Sequence, residues 1–565
     1  MPGALLVSFG GYPYTPSSLM PDNGLANLAG ALAEVGVEPR ILDFGTISTM
    51  RRLFPRELTE TLKPEAKRLL GGAGGELDDE TRAKLRALDA MLGQHQRAEM
   101  HAIAAEVAEQ VRERRPDFVG MKLWNGDGFT GSVVIAEHLR REFPDLPIYA
   151  GGPQSSWWGE AVYRRTDAFT CLLDGEGERA ITLLARHAAG QMELADIPGV
   201  TFIDGGEPRS TPRDDGLDLD ELPEPIYDPE IYPAMAGDEK IKIIVVDDSR
   251  GCPQQCGFCT HPVESGRRLR TASAALLADR MQAMIDRHGI TAFRFAGSST
   301  PGRLMAEVAD EILERGMDVM FTSFGHFASS RPDHFQRMAD AGLHAIFFGL
   351  ESCSQDVLDR AVRKGVDVAQ VRETVRQARA AGIFVVASMI VPLPFDTEKT
   401  LQESLEMLLE IRPDSVPVQF PGVVPGTPWW NDAGEFGFEF DPDELTEVEL
   451  DYKIKLLFPP SMWDDLPYTL HGRSFREFTR DTMRFAGGLE QAGILTAVPD
   501  DNALIAHCAG MTPREFRDAS RLWCTIGDAE AMGEMVRRAN DRIERPSSQS
   551  SGRPIPGSAL TGRGR

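Results

Sequence analysis

Cysteine is scarce in this chain: seven in 565 residues, and an odd number. So few thiols exclude a disulfide-stapled scaffold and fit a reducing, cytoplasmic setting. No apolar run approaches the roughly 20 residues of a membrane span. The opening Met1-Pro2-Gly3-Ala4 lacks the basic stretch of a secretory leader, so no membrane association is expected. Positive charge is also in the minority. Lys+Arg number 60 against Asp+Glu 86, a formal net charge of −26. General binding to nucleic acid or to an anionic membrane needs a basic face, so neither partner is expected; a local basic pocket stays open. What is present is ordinary for a globular protein, with 42% hydrophobic and 26% charged residues in a length that fits three or four domains.

The scarce cysteines are not scattered evenly. Cys252, Cys256 and Cys259 fall in a C-x3-C-x2-C spacing directly after the apolar run Ile241 to Val246, which reads as a buried strand. Three thiolates on one tight loop can hold three irons of a [4Fe–4S] cubane and leave the fourth open. Gly251 and Gly257 let the backbone turn closely around such a group. A structural zinc site normally shows two paired half-sites, and here there is one triplet, with His261 nearby as a candidate fourth ligand. Cys171, Cys353, Cys508 and Cys524 stand singly.

Ahead of this loop, residues 1–205 alternate strand and helix. Strands are expected at Ala4–Phe9, Pro39–Phe44, Phe118–Leu123, Pro147–Ala150 and Ala168–Leu173, with a helix over Asn23–Val35. From Met50 to about Arg115 the chain has a long, charged helical pattern broken by the glycines of Gly71 to Gly75, read as a helical insertion. Such alternation implies an open parallel sheet, whose ligands bind outside the carboxyl ends of the strands. Glycines cluster there: Gly151 and Gly152 after the fourth strand, and Gly175, Glu176, Gly177 and Glu178 after the fifth. Taken alone, these are equally turn chemistry. Residues 206–240, rich in Pro, Asp and Glu, read as an exposed linker.

Residues 241–428 form a second βα series. Strands are expected at Ile241–Val246, Ala292–Phe295, Met317–Thr322, Ala345–Phe348, Phe384–Ser388 and Ser415–Phe420. Six βα units suggest a partial barrel open on one side, with its site at the carboxyl ends of the strands. Glu351 follows a glycine and an apolar strand, where an unpaired charge is costly. Residues 429–545 are mostly helical in pattern, and 546–565 have the composition of a disordered tail. Trp429, Trp430 and Trp463 are read as packing or as pocket walls.

The loop from Arg250 to Thr260 resembles the cluster loop of the radical S-adenosylmethionine (SAM) superfamily. In that family the open iron chelates SAM, and one electron from the cluster cleaves it to a 5′-deoxyadenosyl radical. Gly297, Ser298, Thr300 and Pro301 resemble the glycine-rich turn that contacts the SAM amino group, with Ser298 where a second glycine is usual. Gly349-Leu350-Glu351-Ser352 resembles the Gly-x-Glu-Ser segment that flanks SAM. The order of motifs in residues 1–205 is similar to the cobalamin-binding domain that precedes many radical SAM domains. That resemblance implies that Gly151, Gly152, Gly175, Glu176 and Gly177 line the corrinoid. Asp43 to Ser48 carries no D-x-H-x-x-G motif, so the lower cobalt ligand is expected not to be histidine, and Arg68 of the insertion is a candidate for the lower face.

The resemblance implies an α/β protein with three parts: an N-terminal Rossmann-like doubly wound cobalamin-binding domain, a partial (βα)6 radical SAM barrel and a mostly helical C-terminal domain. It further implies [4Fe–4S], SAM and cobalamin as cofactors, a flavodoxin or ferredoxin as electron donor, and a small-molecule substrate from natural-product or antibiotic biosynthesis. The expected reaction is methyl transfer to an unactivated carbon or phosphorus, as in tryptophan 2-C-methyltransferases and phosphinate P-methyltransferases. A non-methylating rearrangement or cyclisation, and a non-catalytic corrinoid or cluster sensor, are the rival readings. His326, after a barrel strand, and Arg250, beside the cluster loop, are the catalytic candidates, followed by Tyr227 and Lys364; a structural role for His326 stands against the catalytic one.

Overall fold

The computed structural model describes residues 2–70, 78–214, 216–295, 297, 300–452 and 463–544. The glycine run 71–75, Ser298 and the tail 546–565 lie outside them.

Two parallel sheets dominate. The first has seven strands: β1 (Gly3–Ser8), β2 (Glu38–Asp43), β3 (Phe118–Lys122), β4 (Ile148–Gly151), β5 (Cys171–Leu173), β6 (Val200–Asp204) and β7 (Glu207–Ser210), in the order β2-β1-β3-β4-β5-β6-β7. The first five run parallel, and the β6–β7 hairpin continues the edge antiparallel. Leu5, Leu6 and Val7 are buried, as continuous apolar strands must be when helices cover both faces. Helices Asn23–Glu34 and Gly177–Ala188 pack together, and Asp79–Arg114 packs on Asp127–Glu142. The insertion is helical as expected, as Ile47–Leu53, Arg56–Leu70 and Asp79–Arg114.

The second sheet has six parallel strands in sequential order: β8 (Ile244–Val246), then β11 (Ala292–Phe295), β12 (Met320–Gly325), β13 (Leu343–Glu351), β14 (Phe384–Ile390) and β15 (Val418–Gln419). Sequential order of βα units is that of an open barrel. Between β8 and β11 the chain forms a short antiparallel pair, β9 (Ser249–Arg250) with β10 (Arg270–Thr271). The three cysteines lie on the loop that this pair closes.

The last region is mostly helical but adds a small antiparallel sheet of Phe438–Phe440, Tyr468–Leu470 and Arg473–Ser474. It ties the two sheets together. Helix Asp500–Cys508 packs against β12 and β13, while Pro513–Ile526 and Ala529–Ile543 pack on the N-terminal helices Arg56–Leu70 and Ile47–Leu53. Asn540 accepts from the Lys242 amide at 3.0 Å and donates to the Lys240 carbonyl at 2.9 Å.

Residues 206–240 are not the exposed linker that their composition suggests. Leu219, Tyr227 and Tyr232 are buried. The Tyr232 hydroxyl donates to Asp43 and accepts from the Asp22 amide at 2.8 Å, and Lys240 pairs with Asp43 at 2.7 Å in a site where both side chains are enclosed. The acidic and proline residues that suggest a linker occupy the outer side of a strap whose tyrosines and leucines face inward.

Candidate functional site

The cluster loop is held by backbone and by one tryptophan. Gly251 has φ +75°, and a Cβ there would collide with the Arg268 carbonyl. The Cys252 amide donates to the Gly266 carbonyl at 3.1 Å, and the Gly257 amide to the Val362 carbonyl at 3.0 Å. Trp429 is fully buried against this loop. Its amide donates to the Gly257 carbonyl at 2.8 Å and its indole to the Ala361 carbonyl at 3.0 Å. A side chain at Gly257 would meet the Trp429 ring, so the glycine makes room for packing as well as for a turn.

Cys252 and Cys256 are buried and Cys259 is partly so. Burial pushes the Cys256 thiol up to about 12 and the Cys259 thiol to about 11, and Lys364 pulls both downward. Thiolates here would be favoured by further positive charge of the kind a bound cluster would supply. Among the described residues no three His, Cys, Asp or Glu side chains converge on one ion. His261, the candidate fourth ligand, has a half-exposed ring beside Glu264 at 3.8 Å. A cubane offers a separate iron to each thiolate, so its ligands need not converge. The residues present fit a cluster of that kind.

The ends of the neighbouring strands carry buried polar groups. After β11, the Gly297 amide donates to Asp248 Oδ1 at 2.8 Å, and Thr300 is buried beside Pro301; burial raises the Asp248 carboxyl to about 6. At the end of β13, Glu351 is 5% exposed and adopts φ +69°, a left-handed conformation that non-glycine residues hold only under constraint. The constraint is Lys364, whose Nζ bonds Glu351 Oε1 at 2.9 Å and the Gly349 carbonyl at 2.8 Å. Burial opposes the charge on Lys364, but Glu351 and then Cys256 overcome it and raise its pKa. Ser388 reaches Glu351 Oε2 at 3.4 Å, and Ser352 accepts from the Ser354 amide at 3.1 Å.

Facing this edge is a cavity of about 320 Å³ at the carboxyl ends of β3, β4 and β5. It runs between helices Asn23–Glu34 and Gly177–Ala188 down to Gly120, Tyr149 and Ile181, and its mouth is lined by Gly151, Gly152, Gly175, Glu176 and Gly177. All five residues that the cobalamin-domain resemblance singled out thus border one cavity. Added Cβ atoms would press on Leu6 at Gly120 and on Leu28 at Gly177, so the glycines keep the slot open. Its size suits the nucleotide tail of a corrinoid, not the whole molecule. Its far wall is the barrel's own Asp247, Ser249, Arg250, His261, Glu264 and Ser265.

Three of the candidate residues already hold partners within the protein. His326 donates from Nε2 to the Lys364 carbonyl at 3.2 Å while Nδ1 accepts from the Ala328 amide at 3.2 Å. Burial, then Lys364, lowers its pKa to about 4. Both ring nitrogens thus meet backbone groups. Arg250 is not a free cation. It makes a two-point contact with Glu178, at 3.0 and 2.6 Å, inside an enclosed ion-pair set. Arg68 lies exposed on the insertion, paired with Glu65 at 3.1 Å. The Arg250–Glu178 and His326–Lys364 contacts join segments 72 and 38 residues apart, so nothing local could reveal them. Tyr227 is wholly buried in the strap.

A family model described as the radical SAM superfamily matches residues 246–408. An uncharacterised methyltransferase of Pyrococcus horikoshii is 25% identical over 342 residues, 58% of this chain and 72% of that protein. An anaerobic magnesium-protoporphyrin IX monomethyl ester cyclase of Cereibacter sphaeroides is 25% identical over 55% of this chain and 52% of its own length, so the chain spans about half of that relative. Among solved structures, the radical S-adenosylmethionine methyltransferase TsrM from Kitasatospora setae, with cobalamin and a [4Fe–4S] cluster bound, superposes with a TM-score of 0.61 at 15% identity. It covers 94% of this chain and 100% of that one. The likeness shows a shared fold across both sheets and the helical end.

Proposed function

Because the chain carries a radical SAM domain over residues 246–408, we propose that it is a cobalamin-dependent radical SAM methyltransferase acting on an unactivated carbon or phosphorus of a small natural-product precursor. The observation that carries this reading is a shared wall. Asp247, Ser249 and Arg250 form both the stem of the cysteine loop and one side of the glycine-lined cavity. When bound, a [4Fe–4S] cluster supplies one-electron cleavage of SAM and cobalamin carries the transferable methyl group.

The residues of the chain bind, orient and exclude water. Cys252, Cys256 and Cys259 hold the cluster. Gly297, Ser298, Thr300, Pro301, Glu351 and Ser352 flank SAM, with Lys364 fixing the Glu351 carboxylate. Gly151, Gly152, Gly175, Glu176 and Gly177 take the corrinoid, and the tail enters the slot beneath them. Trp429 seals the loop from below, which limits solvent at the reacting centre. The functional division follows the sequence: 1–205 with the edge strand β7 for cobalamin, the rest of 206–240 as the joining strap, 241–428 for the cluster and SAM, 429–545 for closure and substrate. A flavodoxin or ferredoxin of the cytoplasm is the matching electron donor. Among the described residues no helix is long and apolar enough to cross a membrane.

The similarity to the ester cyclase favours a second reading, in which the same cofactor sites serve a cyclisation without methyl transfer. Isotope separates the two. Reconstituted protein given SAM with a deuterated methyl group under reducing conditions is expected to place label on its corrinoid. SAM cleavage with no labelled corrinoid would refute the methyltransferase reading.

A further inference from the structure

Every flank of the cysteine loop is tied to the rim of the glycine-lined cavity. Arg250, the last residue before the loop, grips Glu178 at 3.0 and 2.6 Å and lies 3.4 Å from Glu176 and 3.6 Å from Asp247. Arg270, on the strand that pairs with Arg250 across the loop, contacts Glu176 through both terminal nitrogens and donates to the Leu217 carbonyl at 2.6 Å. Asp247 accepts from Asn27 at 2.5 Å and Asn23 at 3.4 Å, on the helix that forms the opposite side of the slot. Downstream of the loop, Glu264 accepts from the Trp157 indole at 3.0 Å, and Arg213 of the strap joins Asp174 to the Val263 carbonyl. The charged members are enclosed: the side chains of Arg250, Arg270, Glu176 and Glu178 are 12%, 9%, 10% and 8% exposed.

Enclosed bidentate guanidinium–carboxylate pairs fix geometry more than they add stability. Here the geometry fixed is between two sites. Glu176 and Glu178 sit in the Gly175–Glu178 segment at the cavity mouth, and Arg250 and Arg270 are the two stems of the cysteine loop.

Resting on the cobalamin and cluster reading above, we infer that Arg250, Arg270, Glu176 and Glu178 are positioning residues: a clasp that sets the separation and orientation of the corrinoid relative to the cluster. Two pairs are needed because one would leave a hinge. Arg250 alone would let the loop rotate about its stem, and Arg270 holds the other strand. Lysine cannot replace either arginine fully, since it offers a point charge without the planar fork.

The test measures distance, not turnover. Wild type, Glu178→Gln and Arg250→Lys are loaded with cobalamin and cluster. The cluster and the Co(II) corrinoid are brought to their paramagnetic states, and pulsed electron paramagnetic resonance reads the spin–spin distance distribution. Iron and cobalt contents are measured on the same samples. A narrow distribution is expected in wild type. Glu178→Gln should broaden it while both metals stay at full occupancy, and Arg250→Lys, which keeps the charge, should broaden it less. Unchanged width in both variants at full occupancy overturns the clasp and leaves the cofactor reading intact. Should Glu178→Gln fail to fold, Arg250→Lys decides by the same criterion. Wild type that takes up iron but no corrinoid overturns the cofactor reading, and the clasp with it.

Discussion

The two parallel sheets present the same edge to the same interior and solve different problems with it. The carboxyl edge of β3, β4 and β5 is opened by glycines, with enclosed ion pairs at its rim. Gly120, Gly151, Gly152, Gly175 and Gly177 leave a slot between two helices, and the work is done by absence of Cβ atoms. The carboxyl edge of β8, β11 and β13 is crowded with enclosed thiols, carboxylates and an amine, each placed against another: Asp248 under the Gly297 amide, Glu351 on Lys364, Lys364 near Cys256. One edge is defined by the shape of an open slot. The other manages charge in a site with little water, where any unpaired member is costly.

This contrast predicts different consequences for damage at each edge. Glu351→Ala leaves Lys364 charged and enclosed without its carboxylate, since their side chains are 6% and 16% exposed. A loss of about 3–5 kcal/mol in folding stability is expected, read from the denaturant midpoint. Glu351→Gln, which retains a hydrogen-bond acceptor, should cost less. A loss within about 0.5 kcal/mol for the alanine variant would mean that charge pairing does not organise the barrel edge. Gly151→Val should do the reverse. Its Cβ would stand 3.4 Å from that of Leu173, close but tolerable, while the added methyls enter the slot. Folding stability should change little, and corrinoid affinity should fall on the order of tenfold, about 1.4 kcal/mol, with iron content unchanged.

The smallest effect concerns protons. His326 has a folded pKa of about 4 against about 6.5 when unfolded. The unfolded chain therefore binds the extra proton between these values. The stabilisation is complete above pH 6.5 and is lost as pH falls toward 4. His344 and His507, with ring centroids 4.5 Å apart and tilted by 39°, are lowered to about 3 and about 4 by burial and act with the same sign. For His326→Gln the loss of stability between pH 7 and pH 5 should shrink by on the order of 1 kcal/mol, measured by thermal melts across that range. An unchanged slope would place the proton uptake elsewhere.

How much of this was readable from residues alone follows the same division. Chemistry carried by local spacing was legible. The cysteine triplet after an apolar strand, the glycines at strand ends and the six-strand count each depend on neighbours in sequence. The expected strands fell within a few residues of those observed; β12 starts at Met320 where Met317 was expected, because residues 317–319 form an irregular connection after the turn at Gly316. Chemistry carried by pairing across the chain was not legible. Arg250 stood out only for its place beside the loop, and its partner Glu178 is 72 residues away. His326 stood out for its place after a barrel strand, and its partner, the Lys364 carbonyl, is 38 residues away. The strap at 206–240 hid its buried Tyr227 and Tyr232 among acidic residues, and helix Asp500–Cys508 gave no sign that Asp500 would meet Arg294 at 2.9 Å beneath the barrel.

The central claim is that one edge holds a corrinoid and the other a cluster, as separable sites on one frame. The direct measurement is anaerobic reconstitution with iron, sulfide and cobalamin, followed by metal analysis and the absorption spectrum, for wild type beside the Cys252→Ala/Cys256→Ala/Cys259→Ala variant. The account predicts cobalt and roughly four irons in wild type, and cobalt alone in the variant. Wild type with a cluster and no cobalt, or a variant that retains its iron, would contradict it.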